Sequence, residues 1–317
     1  MGQYEDCITY AYQIVNNPLI EIKTDSDKKI SGDIFYILGN SYFEQEDYIN
    51  AAASLKTAIE KCPQNNLYFR DYAIVLAKNG NVDGAEKQLE KATSLGLGED
   101  SISFAQGEIS YARESYIQAA QYFRDSISVT NNPELRGRAV LLCAFSYKKL
   151  GNDYLDQELE LLENETRENG VEISMHVSEQ LADAYTRKAQ TDAGNSGVYY
   201  EKALQLFQDL YNRGYATRQI MENIAIIYQQ QGEFEQAEQT LFQLTDQYPD
   251  DYRGYKRLSF LEADKQQHLA NESRNYARMR DYYNKAVALY QKQGTEDTEM
   301  FMVQKVMEDL QRGGWFQ

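Results

Sequence analysis

Residues 35–66, FYILGNSYFEQEDYINAAASLKTAIEKCPQNN, decide how the rest of the chain is read. At helical spacing they form two short amphipathic helices with a turn between them. Phe35, Leu38, Gly39 and Tyr42 share one face of the first helix. Ala51, Leu55 and Ala58 share a face of the second, and Pro63 closes it. Gly39 and Ala51 are small enough to let the two helices approach closely, while Phe35, Tyr42 and Leu55 fill the space around them.

The pattern recurs at a fixed step. Ala51, Ala85 and Ala119 stand 34 residues apart, as do Gly39, Ala73 and Gly107. Leu55, Leu89 and Phe123 keep the same step, and so do Ala58, Ala92 and Ser126. The pattern large–x2–large–small–x2–Tyr, then Ala–x3–Leu–x2–Ala, then Pro resembles the tetratricopeptide repeat (TPR), whose period is about 34 residues. The resemblance implies an all-α fold, a TPR α-solenoid in which antiparallel helix pairs stack into a right-handed superhelix. One pair cannot bury its apolar face alone, so neighbours must cover it.

The chain then divides as follows. Residues 3–19 align with a second helix, Tyr4 on Tyr48, Cys7 on Ala51, Ala11 on Leu55 and Ile14 on Ala58, so residues 1–31 read as a half-repeat followed by a polar loop over 20–31. The half-repeat is expected either to follow an upstream segment or to serve as an N-terminal cap. Helix pairs follow at 32–65, 66–99, 100–133, 137–170, 175–217, 218–251 and 252–293, with a capping helix and tail at 294–317. In 100–133, Ser103, Gln106 and Ser110 stand where larger side chains usually pack, which predicts looser packing or a shifted helix. In 137–170 the apolar side of the second helix moves to Leu155, Leu159 and Leu162. Insertions before Ala203 and Ala286 predict a longer loop at Gly194–Gly197 and longer helices across KQQHLANESRNYARMR. The final helix, about 296–311, is expected to pack through Phe301, Val303, Val306, Met307 and Leu310, with Trp315 and Phe316 folding back, docking or hanging free. With few prolines and no Pro/Ser-rich linker, all 317 residues read as a single elongated domain.

Lys and Arg number 32 against 49 Asp and Glu, a net charge of −17. Such a balance repels phosphate backbones and anionic lipid, so nucleic acid and membrane surfaces are disfavoured and a basic partner is favoured. The 26 tyrosines suit half-exposed helix faces, because the ring buries while the hydroxyl stays wet. Cys7 and Cys143 fall on apolar faces and Cys62 in a turn, which reads as free thiols in a reducing, cytoplasmic setting rather than a disulfide framework. No apolar run is long enough for a membrane span, and no signal peptide opens the chain.

Catalytic and cofactor motifs are missing. Gly96-x-Gly98-x-x-Ser101 lacks its third glycine and a preceding strand. His176 and His268 have no neighbouring ligand at metal spacing. No enzyme activity, metal or cofactor is expected. In tetratricopeptide proteins the first helix of each pair lines a concave groove that takes a peptide or partner segment. Carried onto this chain, the resemblance places there Tyr36, Asn40 and Phe43; Arg70, Ile74 and Lys78; Phe104, Glu108 and Tyr111; Leu141, Phe145 and Lys148. Further along it adds Glu179, Asp183, Arg187, Glu222, Ile226, Gln229, Lys256 and Phe260. Tyr36, Asn40 and Arg70 are expected to face solvent; Phe43, Phe104 and Phe145 either face the groove or pack between repeats. The two-carboxylate clamp of some family members is disfavoured, since Tyr36 stands where a basic residue belongs and Asp71 where a second Asn belongs. The resemblance thus implies a non-catalytic interaction scaffold, of the kind attached to bacterial signalling proteins such as serine/threonine kinases. The alternative is a regulatory receptor for a small ligand or signalling peptide.

Overall fold

A computed structural model describes residues 2–17, 23–168, 174–294 and 296–315, which are all-α. Among them there are sixteen α-helices and no strand, in two compact units, 1–168 and 169–317. Unit 1 holds α1 (Gly2–Val15), α2 (Asp25–Glu44), α3 (Tyr48–Lys61), α4 (Asn66–Lys78) and α5 (Val82–Ser94). It continues with α6 (Glu99–Ala112), α7 (Tyr116–Val129), α8 (Pro133–Leu150) and α9 (Leu155–Glu168). Unit 2 holds α10 (Met175–Thr191), α11 (Ser196–Asn212), α12 (Arg218–Gln230) and α13 (Phe234–Gln247). It ends with α14 (Tyr252–Gln267), α15 (Ala277–Gln293) and α16 (Thr298–Arg312). Helices pack first within pairs, α2 on α3, α4 on α5, α6 on α7, and α10 on α11, and then on the next pair.

Local chemistry sets the boundaries. Thr24 accepts from Asp27 N at 3.1 Å while Asp27 Oδ2 accepts from Thr24 N at 2.8 Å, a reciprocal cap that starts α2. Asp47, Asn65, Asn81, Asn132, Thr217, Asp251 and Asp297 cap later helices one way, each side chain accepting from a first-turn backbone N–H. Turns within pairs use one left-handed residue, and its position also repeats every 34 residues: Glu46 (φ 61°), Gly80 (φ 81°) and Glu114 (φ 59°). In each, the next residue's N–H reaches back to Tyr42, Leu76 or Ser110 respectively, at 2.8–2.9 Å.

The small residues do what their spacing predicts. Ala51, Ala85 and Ala119 are fully buried. A Cβ on Gly39 would lie 2.7 Å from Leu55 Cγ, and one on Gly107 would lie 2.5 Å from the Phe123 ring. Helix pairs therefore meet backbone to side chain at these points, with Leu55 and Phe123 wholly buried against them.

Several boundaries differ from the sequence reading. The polar stretch 20–31 is not a loop throughout: from Asp25 it is helix, begun by the Thr24–Asp27 cap, while 18–22 lie outside the described residues. Helix α8 starts at Pro133, four residues before 137, because Asn132 caps it and proline is well suited to a first turn. The insertion before Ala203 lengthens α10 and α11, and only Asp192–Asn195 separates them, so Ser196 and Gly197 are helical. The insertion before Ala286 is partly loop: α14 stops at Gln267, and Asn275 N donates to Gln266 Oε1 at 2.7 Å, fixing a return with one 3-10 turn at Asn271–Ser273. Helix α16 packs through Met300, Val303 and Met307, which leaves Phe301 (69% exposed) and Val306 (37%) outward. Trp315 does fold back, edge-on to Tyr276 at 5.3 Å between centroids, whereas Phe316 lies outside the described residues. Leu155, Leu159 and Leu162 form the buried side of α9, as their spacing implies.

Candidate partner-binding groove

Two reciprocal braces join α2 to α4. Tyr36 of α2 donates its hydroxyl to Asp71 of α4 at 2.5 Å, and Tyr68 of α4 donates its hydroxyl back to Asp33 of α2. The two rings stack, with centroids 4.8 Å apart. Asp71 also accepts from Arg70 Nε at 2.6 Å. Burial, then the charge of Asp71, pushes the Tyr36 phenol up to about 12, so it remains a donor across the ordinary pH range. Asp71 is thus committed to a tyrosine and an arginine. Tyr36 and Arg70 are half-buried members of this network rather than solvent-facing side chains.

Above the braces lies a cavity of about 450 Å³. Tyr36, Asn40 and Phe43 of α2 and Arg70 and Ile74 of α4, all among the residues the family resemblance assigns to a groove, line it. The structure adds Ile37, Ser41 and Glu44 from α2, Tyr4 from α1, and Asn132, Glu134, Leu135 and Arg138 at the start of α8. Ile37 is about half exposed, an apolar side chain open to the cavity. Arg138 lies with its guanidinium over the Phe104 ring at 5.1 Å, which orients it without neutralising it. Among the described residues Arg138 forms no ion pair. Asn132, Glu134 and Leu135 lie before residue 137, where sequence reasoning began that helix, and the Asn132-Pro133 cap was the signal that would have found them; Arg138 falls within that helix and was not assigned to the groove.

The other expected residues form different groupings. Phe104 is buried, packed against Phe123 with centroids 5.8 Å apart, so it supports Arg138 instead of facing a ligand. Glu108 is also buried and pairs with Lys78 at 2.8 Å, and Lys78 in turn lies over the Tyr111 ring at 5.3 Å. Phe43 and Phe145 are half-buried, and Lys148 is exposed. In unit 2 the first-helix residues are tied to one another. Arg257 donates to Glu222 at 2.6 Å, Gln229 to Asp264 at 2.9 Å, and the buried Lys256 to Asp297 at 2.8 Å and Glu299 at 2.6 Å. Burial would raise the Asp297 carboxyl, but the hydrogen bonds from Lys256 and Tyr252 outweigh it and hold the group at about 2. These pairs leave the face of α12 and α14 electrostatically spent, in contrast to Arg138 in unit 1.

Among the described residues no cluster of His, Cys, Asp and Glu could hold a metal ion, and no helix is long and apolar enough to cross a membrane. The three cysteines are free, with Cys143 buried and Cys7 and Cys62 half-buried. Burial pushes the Cys143 thiol up to about 12.

Comparison with known proteins agrees with this fold. Tetratricopeptide-repeat family profiles match residues 36–96 and 70–134, and again 173–249, together more than half of the chain. No curated protein sequence matches it. Among solved structures, pilF of Pseudomonas aeruginosa is similar with TM-score 0.52 and 19% identity, over 70% of this chain and 94% of that one. A tetratricopeptide repeat protein from Parabacteroides merdae gives 0.51 and 14%, over 87% and 98%. Human IFIT1, solved as a dimer with PPP-AAAA, gives 0.55 and 15%, over 98% and 69%. At these identities the likenesses establish the fold. Helix pairs stepping by 34 residues, small residues at each crossing and the matching profiles lead to one conclusion: the chain belongs to the tetratricopeptide repeat family.

Proposed function

We propose that the protein is a non-catalytic interaction scaffold that holds a peptide or partner segment in the groove formed by α2, α4 and α8. One observation carries this reading: Arg138 is charged, oriented by Phe104, without an ion-pair partner among the described residues, and set at a cavity wall beside exposed Ile37. Apolar surface next to an unspent charge is what a segment with an aliphatic anchor and a polar neighbour would use. The braces beneath pre-organise the groove, since Tyr36, Asp71 and Arg70 already satisfy one another and need not rearrange on binding. Attachment to a larger bacterial signalling protein follows from the family resemblance alone, and a cytoplasmic setting from the free thiols.

A peptide-display selection on the full chain tests the groove. Selected peptides should lose about tenfold or more in affinity with Arg138→Glu, an exposed change that leaves the helical circular dichroism intact. Undiminished binding to Arg138→Glu would place the partner surface elsewhere. A receptor reading would instead require saturable binding of a small molecule that protects the Tyr36–Asp71 region from amide exchange.

A further inference from the structure

A second surface shares no lining residue with that groove and lies between α5, α6 and α7 of unit 1. Ser103, Gln106 and Ser110 occupy the registers that hold Phe35 and Phe69, Leu38 and Tyr72, and Tyr42 and Leu76 in the two preceding pairs. Helix α6 nevertheless forms in register, and its neighbours do not collapse onto the smaller side chains. A cleft of about 620 Å³ remains between α5, α6 and α7. Its floor is apolar, made by Leu89, Ile102, Ile109 and Tyr122. Among the described residues the side chains of Gln106, Ser110 and Gln118, which also line it, make no hydrogen bond. On the rim, Glu86 pairs with Arg113 at 2.8 Å, whereas Glu90, one turn on, forms no ion pair among the described residues.

We propose that this cleft receives an aromatic side chain of a partner protein, flanked in that partner by a lysine or arginine. The ring would fill the volume that a tyrosine or leucine fills in the earlier pairs. The amides of Gln106 and Gln118 and the hydroxyl of Ser110 offer partners to a phenol hydroxyl or indole N–H, which a purely aliphatic anchor would leave unpaired. The adjacent cation would meet Glu90, the rim carboxylate that forms no ion pair among the described residues, one turn from the Glu86–Arg113 pair. The net charge of −17 favours approach of the same basic partner.

Small probes test the chemistry directly on the full chain: tyramine, neutral p-cresol, and the carboxylate phloretate, followed by methyl chemical shifts of Leu89, Ile102 and Ile109. Fragments of this size should bind with dissociation constants of about 1–10 mM. Tyramine should bind about fivefold tighter than phloretate at low salt, the effect of one exposed charge contact. Glu90→Lys should reverse that order without changing p-cresol binding. Gln106→Leu with Ser110→Tyr should abolish binding of all three probes and raise the thermal midpoint, because it restores the repeat's own side chains. If that double variant does not fold, Gln106→Leu alone must still weaken p-cresol. No saturable shift at these methyls, equal binding of tyramine and phloretate, or a double variant that binds as well as wild type would each overturn the proposal. Self-association of the wild type that the double variant abolishes would assign the cleft to a second copy and overturn it as well.

Discussion

Replacing Gly107 with alanine probes the feature on which the fold depends. The new Cβ would stand 2.5, 2.6 and 2.9 Å from three atoms of the Phe123 ring. Carbon atoms in contact prefer about 3.5–4.0 Å, so the overlap is about an ångström. The ring cannot swing away, because Phe123 is wholly buried and packs against Phe104. Relief therefore requires α6 and α7 to separate, at the upper part of the about 1–3 kcal/mol typical of overpacking. Alanine returns about 1 kcal/mol through better helix propensity. The net expectation is a loss of about 1–2 kcal/mol, or roughly 2–8 °C in the midpoint for a unit of this size. Gly137→Ala in α8 is the control. It meets nothing within 4 Å, so it should stabilise by about 0.5–1 kcal/mol. Urea unfolding followed by circular dichroism reads both, and Gly107→Ala with Phe123→Leu should recover at least half of the loss relative to Phe123→Leu alone. If Gly107→Ala is as stable as wild type, close approach at the small-residue step is not what holds these pairs in register.

Other consequences are equally accessible. Asp297 is depressed to about 2 from an ordinary value of 3.8, so its contribution is complete above the unfolded value and disappears as pH falls through about 4 to 2. That contribution is at most about 2 kcal/mol, and Asp297→Asn should flatten the acid limb of unit 2 unfolding while destabilising it at neutral pH by stripping Lys256 of a partner. Tyr68→Phe and Tyr36→Phe each leave a carboxylate one donor short and should cost about 1–3 kcal/mol in a chemical denaturation series; a neutral result for both would mean that water replaces the braces freely. Glu114→Gly relieves a non-glycine left-handed residue and should stabilise unit 1 by about 0.5–1 kcal/mol by thermal melt. Two thiols, Cys7 and Cys62, should react with a disulfide reagent in native protein, with Cys143 reacting only on unfolding.

What could be read without coordinates follows from the range of the forces involved. The step of Gly39, Ala73 and Gly107 is a packing constraint between neighbouring helices, so it is written into the sequence and gives the fold directly. Thr24 and Asp27 also announced the start of α2 three residues apart, but a polar composition masked the cap. The return at 268–276 is held by the Arg274 side chain donating to the Leu269 and Gln267 carbonyls and by Asn275 N donating to Gln266 Oε1, none of which has a periodic signature. Tyr36, Asn40, Phe43, Arg70 and Ile74 share the first-helix register and so could be grouped from the sequence, whereas the meeting of Arg138 with them depends on how successive pairs rotate. The inward side of α16 was read correctly at Val303, Met307 and Leu310 but not at Phe301 and Val306, which are as apolar as Met300, so periodicity alone does not fully select the face.

The crossed tyrosine–aspartate braces between α2 and α4 bear on how such a chain can evolve. Were residues 66–99 excised, α6 would take the place of α4, and Ile102 and Ala105 would stand at the registers of Tyr68 and Asp71. Neither can answer Asp33 or Tyr36. The α2 and α4 modules are therefore not interchangeable with their neighbours: α2 recognises α4 in particular, because only α4 places a hydroxyl opposite Asp33 and an acid opposite Tyr36.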